Sequence, residues 1–322
     1  MDSKQNKPLV SIGIPTYNNP EGLRRTLQCM ANQTYKELEI IVSDNCSSEK
    51  GVQEVIQEFL KKDFAVQCYH QSENKGPFYN FEFLLKKATG YYFMWAADDD
   101  EWEDDFIETG VEALQGNDFY QAWFCSHDVV DMSGSFVQNM SNFSSLTSTP
   151  DRRKNIIRYL RASDILGKDC ITYAIYERSA LVDTVGRYFL GDRKTSYGSD
   201  SAFNIAFLIK YNILIEEEVL FHKTMNSRST GGGKDKMASF KGNSYYRGIG
   251  PNRGTFKPKK IISILHEHYK AVKGTPYTRT VILTIISMVP CAIKNYLIIR
   301  ANRKVNSVVK RIKALIQRLH KT

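Results

Sequence analysis

The feature that most constrains the fold of this chain is a regular alternation of strand-like and helix-like segments over residues 9–97. Apolar, β-rich runs predict strands, and the segments between them carry apolar residues at helical spacing. The predicted strands are residues 9–14, 38–42, 64–71 and 91–97, and the predicted helices are residues 21–33, 52–62 and 78–90. This order predicts right-handed crossovers and a doubly wound, parallel α/β sheet.

Polar side chains cluster where each of the four predicted strands ends. In doubly wound sheets the ligand binds beyond the carboxyl ends of the strands. These clusters are Thr16-Tyr17-Asn18, Asp44-Asn45, Asn74-Lys75-Gly76 and Asp98-Asp99-Asp100. The sequence therefore predicts that four separate segments form one binding site along a single rim.

Three consecutive carboxylates, Asp98, Asp99 and Asp100, follow the last of these strands. Adjacent like charges repel, and desolvating them at the end of a buried strand is costly. A bound Mg²⁺ or Mn²⁺ ion would remove this cost, since both ions prefer oxygen ligands and one or two carboxylates suffice when phosphate is also bound. The alternative is that the acidic residues occupy the first turn of a helix, where negative charge is favourable.

Three blocks, VSIGIPTYNN, EIIVSDNCSS and ENKGPFYNFEFLLKKATGYYFMWAADDDEW, occur in this order within about the first 105 residues. Their combination resembles the nucleotide-sugar-binding half of the family 2 glycosyltransferases. The resemblance implies the GT-A fold, a Rossmann-like, mostly parallel α/β sheet with flanking helices, here with a C-terminal helical extension. The chain departs from the family pattern at Ala97, where an Asp is usual, and at Ser199, where a Glu is usual.

The resemblance also implies residue roles. The nucleotide-sugar would be bound by Pro15, Thr16, Tyr17, Asn18, Asp44, Asn45, Ser47, Asn74, Gly76, Asp98, His222 and Arg228. Asp99, together with Asp98 or Asp100, would hold the divalent cation, Mn²⁺ or Mg²⁺, that bridges the two phosphates of the donor; the assigned metal ligands are Asp99 and Asp100. A UDP-sugar is the favoured donor.

For several of these residues a purely structural role remains open. The alternative for Tyr17 is an exposed aromatic residue of a surface turn, and the alternative for Asp44 is an Asx-turn at a strand end. His222 and Arg228 would contact phosphate oxygens, but His222 at a strand end and Arg228 in a Gly-rich loop also suit structural or solvated positions.

The resemblance places a general base at the start of a helix in the second half, and Asp200 occupies that place. A carboxylate on the far face of the sugar would take the proton of the acceptor hydroxyl, and the one-step attack would invert the anomeric centre. Asp200 also suits a helix first turn, and Asp192 is the second candidate for the base. We interpret Cys125, His127 and Asp128 as part of a sheet strand rather than a metal cluster.

Charged residues are unevenly distributed along the chain. The net charge is +9, yet residues 268–322 contain 12 Lys or Arg and no Asp or Glu. Apolar residues at helical spacing within residues 305–319 predict a basic amphipathic helix on an anionic membrane surface. A helical cap or an oligomer interface is the alternative, and no nucleic-acid-binding motif accompanies the tail. We therefore predict a catalytic domain over residues 1–255, with a donor half (1–105) and an acceptor half (106–255), and a tail over residues 256–322.

Together these features and the resemblance predict an inverting, metal-dependent glycosyltransferase that moves a sugar from a nucleotide-diphospho-sugar to a hydroxyl of a glycan acceptor. We expect the acceptor to be lipid-linked and to belong to cell-surface polysaccharide or lipopolysaccharide synthesis. The polar N-terminus and six scattered cysteines without a CxxC pair favour the reducing cytoplasm, at the inner face of the membrane. Two alternatives remain. One is a nucleotidyltransferase, which requires a Gly-rich basic loop after the first strand that PTYNNPEG does not supply. The other is a non-catalytic nucleotide-sugar-binding or scaffolding protein.

Overall fold

The computed structural model describes residues 7–48, 50–61, 66–131, 135–140, 146, 149–162, 168–188, 199–224 and 266–287. The strands are β1 (Val10–Thr16), β2 (Leu38–Asp44), β3 (Val66–His70), β4 (Tyr92–Trp95), β5 (Glu101–Trp102), β6 (Ala122–Val130), β7 (Phe136–Met140), β8 (Ile175–Glu177) and β9 (Ile213–Thr224). The helices are α1 (Pro20–Asn32), α2 (Lys50–Leu60), α3 (Pro77–Lys87), α4 (Phe106–Gln115), α5 (Arg152–Arg161), α6 (Arg178–Tyr188) and α7 (Ser199–Lys210), with a 3₁₀ helix at Lys168–Tyr173. Residues 266–272 and 278–287 form two more helices, α8 and α9.

The strands form one sheet in the order β3-β2-β1-β4-β8-β6-β9-β5, and β7 pairs with β6. β3, β2, β1 and β4 are all parallel. Beyond β4 the directions mix, because β8 is antiparallel to β4 and β6, β9 is parallel to β6, and β5 is antiparallel to β9. The predicted mostly parallel α/β sheet with flanking helices is confirmed, and the parallel strands predicted from residues 9–97 are observed. The sequence did not predict β5 and β8, because they are too short to leave a periodic signal.

Local sequence explains why α1 begins where it does. The side chain of Asn19 accepts a hydrogen bond from the backbone N–H of Gly22 at 3.3 Å, and Pro20 occupies the start of the helix. The predicted apolar positions Leu23 and Leu27 are buried. The amphipathic pattern therefore fixes which face of α1 packs on the sheet.

The acidic turn, defined here as residues 98–100, does not begin a helix. It leads from β4 directly into β5, and the following helix, α4, begins only at Phe106. The interpretation of these carboxylates as residues of a helix first turn is therefore wrong.

Part of the predicted tail packs on the body of the protein. Ala271 and Val272 of α8 and Val281 and Ile285 of α9 are buried in the same hydrophobic cluster as the sheet. The amphipathic segment at residues 305–319 lies outside the described residues, and the boundary at residue 255 stays a prediction. Among the residues that the structure describes, none belongs to a helix both long and apolar enough to cross a bilayer.

Candidate active site

The carboxyl ends of three parallel strands form one wall of the site. In the sheet register Thr16 of β1 lies beside Asp44 of β2, and Asp44 lies beside His70 of β3. Pro15 is half-buried and Tyr17 is exposed just beyond the strand end. The strand ends thus meet at one rim, as the sequence predicts.

Asn18 joins the loop after β1 to the loop after β2. Its backbone N–H donates to Oγ of Ser47 at 2.8 Å, and its side-chain oxygen accepts from the backbone N–H of Ser48 at 2.8 Å. Asn18 has a positive φ of 50°, a conformation that Asn tolerates better than most residues. The two loops therefore hold each other in place beside Tyr17.

Asp44 is fully buried and its carboxylate accepts hydrogen bonds from three sides. The donors are the backbone N–H of Ser47 at 3.0 Å and the side-chain amide of Gln53 at 3.0 Å, with Nδ1 of His70 at 2.9 Å. The bond from Ser47 is the local turn contact that we named as the alternative role of Asp44. Its predicted role in binding the nucleotide-sugar stays a prediction.

Asn45 connects this wall to the loop after β3. Its side-chain nitrogen donates to Oδ1 of Asn74 at 3.0 Å, and its Oδ1 accepts from the backbone N–H of Lys75 at 3.2 Å. Asn74 Oδ1 also accepts from the backbone N–H of Gly76 at 2.9 Å. The structure thus brings Asn45, Asn74 and Gly76 together, although they lie in two separate segments of the chain.

The acidic turn lies on the first turns of α1. The side chain of Asn19 donates to the backbone oxygen of Asp98 at 2.8 Å, and Oγ1 of Thr26 donates to the backbone oxygen of Ala97 at 3.0 Å. Oγ1 of Thr16 donates to Oδ2 of Asp98 at 2.7 Å. Burial raises the pKa of Asp98 to about 7; the bond from Thr16 opposes this shift and the charge of Asp99 adds to it.

Asp100 forms an ion pair with Lys223 of β9, in which the carboxylate is buried and the lysine is partly exposed. Nζ of Lys223 lies 2.6 Å from Oδ2 of Asp100, and the backbone N–H of Thr224 donates to Oδ1 at 3.0 Å. Asp100 has no exposed surface. Because protein donors engage both carboxylate oxygens, the assignment of Asp100 as a metal ligand does not fit this geometry.

The pKa shifts of this pair favour different charge states. Burial raises the pKa of Asp100 to about 7, which favours the neutral acid. Burial alone would lower the pKa of Lys223, but the carboxylates of Asp100 and Asp99 raise it well above its ordinary value. Above about pH 7 the pair is charged. The ammonium group on one carboxylate oxygen and the N–H on the other then stabilise the ionised Asp100.

Asp99 differs from both of its neighbours. Its side chain is 16% exposed, and Oδ1 lies 3.9 Å from Nζ of Lys223, beyond hydrogen-bonding distance. Across the described ranges no group of three or more His, Cys, Asp or Glu side chains is arranged to hold a metal ion. A Mg²⁺ or Mn²⁺ ion needs only one or two carboxylates when phosphate oxygens complete its coordination shell. Asp99 fits that requirement, whereas Asp100 does not.

Asp200 lies in the first turn of α7, as predicted for the base. The residue keeps exposed surface, yet the protein atoms around its carboxyl group desolvate it and raise its pKa to about 6. The charge of Asp169 adds to this shift and that of Lys223 opposes it. Asp169, on the 3₁₀ helix, accepts a hydrogen bond from the hydroxyl of Tyr159 at 2.8 Å.

His222 lies between two carboxylates on the opposite side of β9 from Lys223. Its Nδ1 is 2.6 Å from Oδ1 of Asp128, and its Nε2 is 2.8 Å from Oε1 of Glu103. Burial lowers the pKa of His222, but these two carboxylates outweigh it and raise the pKa above its usual value. Since both ring nitrogens are engaged, the predicted contact of His222 with a phosphate does not fit this geometry.

Two predicted residues, Arg228 and Asp192, lie outside the described residues. Sequence reasoning overlooked Lys223 and Asp169, which the structure brings to the acidic turn and to Asp200. Three adjacent carboxylates require a positive charge nearby, and this requirement could have led to the prediction of a lysine such as Lys223 beside the acidic turn. Alternation along a strand then separates His222 from Lys223, because successive side chains point to opposite faces.

Comparison with known sequences identifies relatives of the chain. The model of the family "Glycosyl transferase family 2" matches residues 11–184, slightly more than half of the 322 residues. A Bacillus subtilis protein, TuaG, whose name assigns it to teichuronic acid biosynthesis as a glycosyltransferase, is 30% identical over 108 residues, 34% of this chain and 42% of that protein. The GalNAc(5)-diNAcBac-PP-undecaprenol beta-1,3-glucosyltransferase of Campylobacter jejuni is 35% identical over 95 residues, 29% of this chain and 30% of that protein. The matches thus span less than half of either relative.

Solved structures resemble the whole architecture. TarS of Staphylococcus aureus (residues 1–349, in complex with UDP) has a TM-score of 0.60 and 14% identity, over 87% of this chain and 71% of that 1–349 chain. The mannosyltransferase PcManGT of Pyrobaculum calidifontis, in complex with GDP-Man and Mn²⁺, has a TM-score of 0.56 and 17% identity, over 97% of this chain and 81% of that enzyme. At such identities the similarity shows the fold, which is GT-A. The family model, which matches more than half of the chain, shows that the chain belongs to glycosyltransferase family 2.

Proposed function

We propose that this protein is an inverting glycosyltransferase that moves a sugar from a nucleotide-diphospho-sugar to a hydroxyl group of a glycan acceptor. One observation carries the proposal: Trp95 at the end of β4 packs edge to face against Phe203 in the first half of α7, with ring centroids 5.8 Å apart. The acidic turn that follows β4 and the candidate base Asp200 at the start of α7 therefore belong to neighbouring elements, and we infer that they act on one sugar.

The donor side of the mechanism follows from the wall of strand ends. The loops at Tyr17, Asn45 and Asn74 would bind the nucleoside and ribose, and the diphosphate would lie along the acidic turn. A divalent cation held by Asp99 would neutralise the diphosphate and stabilise it as a leaving group. Thr16 and Asn19 keep the turn in position through their bonds to Asp98.

On the acceptor side, Asp200 is the proposed base. The acceptor oxygen attacks the anomeric carbon while the bond from that carbon to the diphosphate oxygen breaks. The nucleoside diphosphate leaves with the bonding electrons, and the hydroxyl proton passes to the Asp200 carboxylate. Attack and departure on opposite faces invert the anomeric centre. With a pKa of about 6 the carboxylate is mostly ionised at neutral pH, as a base must be.

Calorimetric titration of the full-length protein with UDP, GDP and dTDP, with and without Mn²⁺, tests the donor site. We expect one nucleotide to bind more tightly with Mn²⁺ and Asp99→Ala to remove that gain. Asp105→Ala is the matched control, because Asp105 is an exposed carboxylate of the same segment. If none of the three nucleotides binds wild type under either condition, the proposed function is wrong.

A second measurement separates an enzyme from a non-catalytic binding protein. We expect Asp200→Asn to keep its affinity for the nucleotide and to lose transfer of labelled sugar from the donor to an acceptor. Unchanged transfer would reject Asp200 as the base. The names of the two curated relatives support surface-glycan synthesis and a polyprenyl-diphosphate-linked acceptor as the first class to assay.

We also propose that the C-terminal region binds the anionic inner face of the membrane. On α9, Val281 and Ile285 are buried, whereas Leu283 is 53% exposed and Ile286 is 48% exposed. The 12 Lys or Arg of residues 268–322 provide charge complementarity to anionic lipid. Exposed apolar side chains next to basic residues are typical of helices that lie in a membrane interface.

Sedimentation with vesicles containing phosphatidylglycerol tests this membrane proposal. The double change Leu283→Gln and Ile286→Gln should reduce the bound fraction, whereas Leu60→Gln, at an exposed leucine on α2, should not. Equal binding by all variants would refute the role of α9. A lower molecular mass of the double variant in light scattering, without lost vesicle binding, would instead identify an oligomer interface.

A further inference from the structure

Lys223 brings a positive charge from β9 into the acidic turn. Its Nζ lies 2.6 Å from Oδ2 of Asp100, 3.9 Å from Oδ1 of Asp99 and 5.3 Å from the ring centroid of Tyr173. Its side chain is 31% exposed, although Asp100 is not exposed at all. The lysine therefore reaches from the buried carboxylate toward the solvent side of the turn, where Asp99 lies.

The backbone around Lys223 is held from several sides. The adjacent residue His222 is paired with Glu101 of β5 on one side and with Asp128 of β6 on the other. The backbone N–H of Thr224 is bonded to Asp100. A cation fixed in this way requires little reorganisation when a ligand binds, which is the condition for effective electrostatic stabilisation.

Charge and hydrogen-bonding capacity indicate what this cation can do. A nucleoside diphosphate brings further negative charge to a turn that already has three carboxylates, so its binding requires positive charge. An ammonium group has three N–H donors and no acceptor. Lys223 is thus able to bind Asp100 and a phosphate oxygen at the same time.

We propose that Lys223 binds a phosphate oxygen of the donor diphosphate while Asp100 holds the lysine in position. This inference rests on the proposed function and adds a cation supplied by the chain to any divalent ion at Asp99. It has two consequences. Part of the affinity for the diphosphate persists without a divalent cation, and Lys223 stabilises the charge that develops on the leaving group.

Calorimetry of full-length protein in EDTA, with UDP, GDP and dTDP as probes, tests the inference. One of these nucleotides should bind wild type, and Lys223→Met should raise its Kd by about 10- to 100-fold. This is the usual effect of losing a hydrogen bond to a charged group. Lys223→Arg should retain most of the affinity. The corresponding nucleosides, followed by ligand-observed NMR, should bind wild type and Lys223→Met alike, because they carry no phosphate.

Lys210→Met is the matched control. Lys210 is 30% exposed and lies 2.5 Å from a carboxylate oxygen of Asp183, so it resembles Lys223 in exposure and pairing. It lies at the other end of α7 from Asp200. Its replacement should leave the Kd of the diphosphate unchanged.

A double variant separates phosphate binding from simple neutralisation of Asp100. If Lys223 only neutralises Asp100, then Asp100→Asn combined with Lys223→Met should restore both stability and affinity; if Lys223 binds phosphate, affinity should stay weak. Three outcomes would each overturn the inference but leave the proposed function standing. They are restored affinity in the double variant, an affinity of Lys223→Met within twofold of wild type, and wild-type binding that depends entirely on Mn²⁺. Wild type that binds no diphosphate, with or without Mn²⁺, would remove both.

Discussion

A methyl group at Gly22 would test how closely the acidic turn depends on α1. A Cβ atom there would lie 1.9 Å from the backbone oxygen of Asp98 and 2.2 Å from Nδ2 of Asn19. These two atoms form the 2.8 Å hydrogen bond that joins the turn to the helix. For the 1.9 Å separation to reach an ordinary contact of 3.4 Å, the carbonyl oxygen must move by about 1.5 Å.

Two costs and one gain set the expected loss of stability. Overpacking costs about 1–3 kcal/mol, and the loss of the bond between Asn19 and Asp98 costs about 1 kcal/mol. Alanine recovers about 1 kcal/mol over glycine within a helix. We therefore expect Gly22→Ala to lower the free energy of unfolding by about 1–3 kcal/mol. The larger effect should be on function, because a misplacement of about 1 Å at an active site can cost about 100-fold in rate.

Urea unfolding and calorimetric titration with the nucleoside diphosphate would measure both effects. Gly51→Ala is the control: its Cβ would lie 3.1 Å from side-chain carbons of Pro20, a contact that small shifts relieve. We expect the control to keep its nucleotide affinity. If Gly22→Ala binds nucleotide as tightly as wild type and unfolds at the same urea concentration, the close contact between α1 and the acidic turn does not position the donor site.

Three further predictions concern separate parts of the molecule. Because burial and Asp169 raise the pKa of Asp200 to about 6, kcat/KM should rise with pH through about 6, and a flat profile from pH 5 to 8 would reject Asp200 as the base. His222, whose pKa is raised by Asp128 and Glu103 against the effect of burial, contributes stability that is fully present below its unfolded pKa and is lost as pH rises through its folded pKa. His222→Gln should therefore cost more stability at pH 6 than at pH 9 in urea unfolding, and an equal cost at both would contradict this. Val281→Ala, at a fully buried position, should lower the free energy of unfolding by about 1–3 kcal/mol, whereas an unchanged midpoint would show that α9 packs independently of the core.

The first half of the fold follows from local patterns. Each predicted strand or helix there has its own period of apolar residues and its own stop signal, such as Pro15 after the first predicted strand or Gly90 before β4. The observed strands begin and end within a few residues of the predicted bounds. Because parallel strands end at the same edge, the position of Asp44 and of the acidic turn at one rim also follows from the sequence.

The second half of the sheet does not follow in this way. β5 and β8 have two and three residues, too few for any period to be visible. Their places depend on pairing with β9, β4 and β6, which are distant in sequence. The burial of Val272 and Val281 likewise depends on packing against the body of the protein. The sequence shows only the charge and amphipathicity of this stretch, and these properties led us to predict a separate tail.

The sequence by itself determined that three carboxylates follow a buried strand, and that they need positive charge. Only the tertiary structure decided where this charge comes from. His222 and Lys223 are neighbours on β9, and strand alternation places them on opposite faces without indicating which face meets the acidic turn. The pairing of β9 with β5 and β6 decides it, bringing Lys223 to Asp100 across 123 positions of sequence and leaving His222 between Asp128 and Glu103. Contacts over such a separation depend on the register of whole strands, which no local pattern encodes.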